Sequence, residues 1–157
     1  MTAKLTLEEA RAIIARAVEK SAEVQWISAF AVVDEGGNVI SISRTDGAPA
    51  SAVGLSRSKA YLAAVTCRNT LPFATRMDAH PVRFAGYQSI SPRPLFPGPG
   101  AVPIRKDGKV VGGFSSSVSS HSGGMQVEID GKQMSREDVV TAYALQIPYD
   151  DQHADVS

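Results

Sequence analysis

The chain has 157 residues, 43% of them hydrophobic and 20% charged, which is enough apolar material for the core of one ordinary domain. Lysine plus arginine equals aspartate plus glutamate at 16 each, so the long-range field that gathers phosphate backbones or anionic lipid is missing. Nucleic acid and membrane surface are therefore not expected partners. The amino terminus runs from Met1 straight into an amphipathic pattern without an apolar stretch and small-residue cleavage site, which points to a cytoplasmic location.

Thr6 with Glu9 three residues on forms a capping box, and Leu7, Ala10, Ile13, Ile14, Ala17 and Val18 then repeat at helical spacing to about Lys20. Ile27 to Val33 is apolar and β-rich, Asp34-Glu35-Gly36-Gly37-Asn38 tolerates positive φ, and Val39 to Arg44 resumes the strand pattern, so a hairpin is expected. After the stop at Thr45-Asp46-Gly47-Ala48-Pro49, Ser51 to Arg68 reads as a second, largely apolar helix lying across the sheet. Cys67, the single cysteine, is expected to be a buried, inert thiol on it.

From Asn69 to Gly100 six prolines forbid a continuous helix or central strand, leaving Pro72 to Asp78 as a short helix in a long loop. Loops of that length line pockets, form lids or make subunit contacts. Arg76, His80, Arg83 and Arg93 fall in it, together with Phe84, Tyr87, Ile90, Leu95 and Phe96, more apolar side chains than an irregular segment buries within one chain. Ala101 to Arg105, the turn Lys106-Asp107-Gly108 and Lys109 to Val118 make a second hairpin. A polar stretch with a possible turn at Asp130-Gly131 leads to Ser135, which caps a last helix that carries Asp138 in its first turn and ends before Pro148. Residues 1–148 form the domain, and 149–157 read as a mobile acidic tail. The fold class is α+β, an antiparallel sheet with flanking helices.

Four strings sharpen this reading: Ala31-Val32-Val33-Asp34-Glu35-Gly36-Gly37-Asn38-Val39, Ser43-Arg44-Thr45-Asp46-Gly47-Ala48, Ser58-Lys59-Ala60-Tyr61, and Gly100-Ala101-Val102-Pro103-Ile104 through Lys109-Val110-Val111-Gly112-Gly113. In order and spacing, over roughly residues 5 to 118, the chain resembles the haem-degrading, GlcG-like (HbpS-like) family. The resemblance implies a profilin-like single domain, a homo-oligomer, and a small-ligand-binding accessory or sensor role, with haem as a possible cofactor and a small aldehyde or hydroxy acid as the other ligand class. Where the family has paired glycines before Val-Pro this chain has Gly100-Ala101, and where it closes the last strand with Gly-Val-Ser-Gly this chain has Phe114-Ser115-Ser116-Ser117-Val118. Serine for glycine narrows a slot for a flat macrocycle and adds hydroxyls for a polar ligand.

Arg44, Asp46 and Lys59 are candidates to converge at one rim of the sheet and hold a carboxylate or phosphate, although Arg44 and Asp46 equally suit pairing across their turn. Tyr61 adds a phenol on the same helix as Lys59, with core packing as its plainer use. Ser115 and Ser117 line either a polar pocket or a solvated hairpin edge. His121 and His80 are the candidate haem-iron ligands, His121 being favoured by its hydroxyl-rich neighbours. Their spacing matches no metal motif, and no Gly-x-Ser-x-Gly elbow surrounds the serines. The alternative function is a small lyase, isomerase or hydratase for an organic acid, with Asp34, Asp46 or His121 moving protons while an arginine holds the substrate.

Overall fold

The computed structural model describes residues 3–117 and 124–154. Helix α1 (Leu7–Glu23) starts at the expected capping box: Thr6 Oγ1 accepts the Glu9 N–H at 3.2 Å, and Glu9 Oε2 accepts the Thr6 N–H at 2.8 Å. It is followed by β1 (Ala29–Asp34), β2 (Val39–Arg44) and α2 (Ser51–Thr66). After α3 (Thr70–Ala79) and α4 (Pro81–Ile90) come β3 (Ala101–Lys106) and β4 (Lys109–Ser117). The chain then forms β5 (Gln126–Ile129), β6 (Lys132–Ser135), α5 (Arg136–Leu145) and a 3₁₀ turn, Tyr149–His153.

Both expected hairpins form and join into one antiparallel sheet in the order β2-β1-β4-β3, with β1 and β4 paired in the middle. The pleat sends alternate residues to opposite layers. Phe30, Val32 and Phe114 face α1 and α5, where Ile13, Ile14, Ala17, Val139 and Val140 complete the main core. Ala31 and Val33 face α2, against Ala60 and Ala64. That second contact is close because the strand has no side chain there: a Cβ at Gly113 would lie 2.3 Å from the Ala60 carbonyl oxygen. Leu62 and Tyr61 of α2 pack in turn on Phe73, Met77 and Leu95.

The structure departs from the sequence reading at four places. The long loop holds a second helix, α4, besides the expected short one, which runs over Thr70–Ala79 rather than Pro72 to Asp78, because Pro72 and Pro81 fall in first turns, where a missing N–H costs no intrahelical bond. Asp130-Gly131 is the tip of a separate two-stranded ribbon, β5–β6, with φ of 51° and 77° at the two positions. Cys67 is exposed rather than buried: it ends α2 in the left-handed conformation with φ 57°, beyond the helix's apolar face. Tyr149–His153, expected as part of a mobile tail, forms a turn docked on the domain, where Asn69 Nδ2 donates to the carbonyls of Asp151 and Ala154 and His153 Nε2 lies 2.8 Å from Asp138 Oδ2. None of the helices among the described residues is long and apolar enough to cross a membrane.

Candidate functional site

Lys59 stands on the sheet-facing side of α2, and its aliphatic stem reaches the end of β4. There Nζ donates to the Pro99 carbonyl at 2.7 Å, the Ser116 carbonyl at 2.8 Å and Glu137 Oε1 at 3.1 Å. Both charged side chains of this pair are 6% exposed. A buried lysine stays charged only with such full pairing. Burial pushes the Glu137 carboxyl above its ordinary range, and the charge and hydrogen bond of Lys59 oppose the rise. The chain makes room for the carboxylate at Gly100: its φ is +90°, and a Cβ there would lie 2.0 Å from Glu137 Oε1. The pair thus ties α2, the segment after α4, β4 and α5 together at one point.

The serines beside it are internal. Ser115 pairs with both β1 and β3 and Ser117 with β1, and both are buried strand residues rather than a solvated edge. Ser116 Oγ accepts from Trp26 Nε1 at 3.0 Å and lies 3.0 Å from Ser28 Oγ, which also donates to the Ser117 carbonyl at 2.7 Å. Ser56 Oγ donates to the Ser115 carbonyl at 3.0 Å. The Ser28, Ser56 and Ser116 hydroxyls therefore bond one another, Trp26 and the backbone.

Outside this buried polar cluster, residues 91–99 run across α2 as a strap. Between strap and helix lies a cleft of about 410 Å³ lined by Gly54, Leu55, Arg57, Ser58 and Tyr61 on the helix side and by Arg93 to Phe96 on the other. Arg93 fixes the strap: its guanidinium donates to the Gly37 carbonyl and to Asn38 Oδ1, each at 2.6 Å, and lies 5.6 Å from the Tyr61 ring centroid. Its charge also acts on Asp34. Burial raises that carboxyl, but hydrogen bonds from the Asn38 backbone and side chain and the Gly36 N–H, with Arg93 adding to them, hold it below its ordinary value. Asp34 is thereby a turn acceptor and a poor proton acceptor for chemistry. Among the described residues, Arg57 and the Tyr61 hydroxyl have no hydrogen-bond partner, so both are available at the cleft.

The structure brings some of the candidate residues together and leaves others apart. Lys59, Ser115 and Ser117 share the buried cluster, and Tyr61 lines the cleft on the same helix. Arg44 and Asp46 do not join them; they border a hollow against the end of α1, beside Trp26 and Ile27. They do not pair with each other either, since Arg44 Nη1 donates to the Ala48 carbonyl at 3.2 Å. His80 is exposed at the junction of α3 and α4, outside the cleft. His121 lies outside the described residues. Glu137 was not legible as a site residue, because an acidic side chain in a helix's first turn already has a structural use and its partner is 78 positions away.

Known proteins with this architecture are similar over nearly the whole chain. Klebsiella pneumoniae protein ORFY aligns with a TM-score of 0.73 at 22% identity, covering 93% of this chain and 92% of that one. HbpS aligns at 0.69 and 24% identity, covering 92% and 87%. A PduOC structure solved as a haem complex aligns at 0.70 and 18%, covering 92% and 94%. In sequence, Protein GlcG of Escherichia coli K12 is 30% identical over 114 residues, 72% of this chain and 81% of that protein. The family model described as "Haem degrading protein HbpS-like" matches residues 5–133, and the chain belongs to that family.

Proposed function

We propose that this protein is a small-ligand-binding accessory or sensor protein, working in the cytoplasm, whose ligand sits in the cleft between α2 and the strap. The observation that carries the reading is the juxtaposition of Arg57, the Tyr61 hydroxyl and the exposed face of Phe96 around one cleft whose far wall is held by Arg93. Small-molecule sites are of this kind, apolar walls with a few convergent polar groups. The arrangement suits a flat or short organic anion: guanidinium for a carboxylate, phenol for a second oxygen, ring face for the body.

Haem is one ligand that fits these donors. Arg57 would meet a propionate, Phe96 would pack on the macrocycle, and Tyr61 carries the phenol oxygen that serves as an axial ligand in some haem proteins. A solved relative is a haem complex, which supports this choice. A small aldehyde or hydroxy acid is the alternative occupant. Titration with haemin separates the two: a Soret shift that Tyr61→Phe alters and Arg57→Ala weakens supports haem in this cleft. No shift at all removes haem, and thermal-shift screening of small aldehydes and hydroxy acids then tests the other class. Absence of stabilisation by every compound, together with silent haemin titrations, would overturn the cleft as a binding site.

Self-association belongs to the same reading. α4 buries none of its residues, and Val82 and Ile90 on it are 86% and 80% exposed. Apolar exposure on that scale suits a contact between copies of the chain.

A further inference from the structure

Another hollow, of about 470 Å³, opens on the layer opposite the α2 cleft. Ile129 and Met134 of the β5–β6 ribbon form one wall, Val139 and Ala142 of α5 the floor, Ile147 and Tyr149 the next wall, and Arg16 and Lys20 of α1 the mouth. It exists because β5–β6 is no part of the main sheet: the ribbon leans on the core through Val127, Ile129 and Met134, and the small Ala142 leaves the space between ribbon and helix unfilled.

The walls are set by bonds that do not involve a ligand. The Tyr149 hydroxyl accepts the Ser135 N–H at 2.9 Å, and the Ile147 N–H donates to the Ala142 carbonyl at 3.1 Å, which turns the chain back over the helix end. Arg16 Nε donates to the Ala144 carbonyl at 2.8 Å, which holds α1 to α5 and anchors the guanidinium at the mouth. Its two terminal nitrogens have no partner among the described residues. Lys20 Nζ lies 4.5 Å from the Tyr143 ring centroid and pairs with the exposed Glu23 at 2.7 Å. Glu19 lies on the same helix, accepting from the Tyr143 hydroxyl, but neither it nor any other carboxylate lines the hollow.

An apolar interior whose charged lining is wholly cationic defines a complementary occupant, one with a hydrocarbon or aromatic body and one anionic end. We propose that this hollow is a second binding site, for small amphipathic carboxylates, with the acyl chain against Ile129, Met134 and Val139 and the carboxylate on Arg16 and Lys20. The site is separate from the α2 cleft and does not depend on what that cleft binds.

Octanoate, with 1-octanol as its uncharged counterpart, tests it by side-chain methyl NMR on the intact chain. Octanoate is expected to shift the methyl resonances of Ile129, Met134, Val139 and Ile147 saturably, and octanol to bind about ten-fold more weakly or worse, the loss of one charge-assisted hydrogen bond. Lys20→Gln, near the surface, is expected to weaken octanoate alone. Because Arg16 also ties α1 to α5, Ala142→Leu serves as the independent variant: it fills the hollow and is expected to abolish the shifts while retaining a folded spectrum. The proposal is overturned if octanoate leaves those methyls unmoved, if octanol binds as tightly, or if Ala142→Leu binds octanoate as the parent chain does.

Discussion

Lys59 and Glu137 are the residues on which most of the local structure depends, because two charges at 6% exposure are acceptable only together. Lys59→Met or Glu137→Gln is expected to destabilise the fold by about 3–5 kcal/mol in urea denaturation, whereas Lys59→Met with Glu137→Leu should recover much of the loss. The double variant distinguishes a stranded charge from lost packing. The contribution of Asp34 depends on pH. Its folded-state carboxyl is held below the ordinary 3.8, so its contribution is present above that value and disappears as pH falls through the lower folded one. Asp34→Ala should cost about 1–2 kcal/mol near neutral pH, and the difference from the parent chain should vanish in acid. A difference that stays constant down to acid would show that the turn does not use the ionised form. The sequence placed Asp34 in the hairpin turn and Lys59 among the candidate anion-holding residues, but not the distant side chains that act on them. Arg93 reaches the turn at Asn38 across 55 positions and Glu137 reaches Lys59 across 78, and no local pattern encodes such contacts.

Among elements, β3 shows how an exposed sheet edge is closed. Thr70 Oγ1 accepts the Ala101 N–H at 3.1 Å and donates to the Ala101 carbonyl at 3.2 Å, and Pro103, two residues along the same outward row, has no N–H to offer. Thr70→Val removes both bonds without changing shape. About 1–3 kcal/mol of stability should go with them, and the Ala101 amide should lose hydrogen-exchange protection. Unchanged exchange at Ala101 would contradict this account of the edge. The two main hairpins, the capping box and the last helix were legible because each rests on a short-range signal: Asp107-Gly108 at positive φ, Thr6 with Glu9, Ser135 with the Asp138 N–H. α3 was legible at Pro72 to Asp78 and only its ends differ, but α4 was not, since a proline is read as a breaker until its position within the first turn is known. β5 and β6 were missed for another reason. Four-residue strands of alternating polarity such as Gln126–Ile129 carry too little pattern to stand out from a polar loop.

At the scale of the whole molecule, the α2 cleft and the hollow beside the β5–β6 ribbon lie on opposite sides of three layers, and α4 stands outside both as an apolar projection. If that projection is a contact between copies, Val82→Glu with Ile90→Glu should reduce the assembled mass measured by light scattering while leaving the melting temperature of the folded chain nearly unchanged. A monomeric parent chain would remove α4 from that role. The close seat of α2 at Gly113 has a consequence for both faces of the sheet. With no side chain between strand and helix, the height of α2 is set by backbone meeting backbone, which is far stiffer than contact through rotatable side chains. The helix then acts as a fixed datum: the reach of Lys59 on its inner side and the width of the Tyr61 cleft on its outer side are measured from the same surface. A ligand that widens the cleft can therefore do so only by moving the strap. The strap is joined to the Lys59 ammonium through Pro99, so if the proposed ligand occupies the cleft, a shift of the strap would pull on the buried charge within.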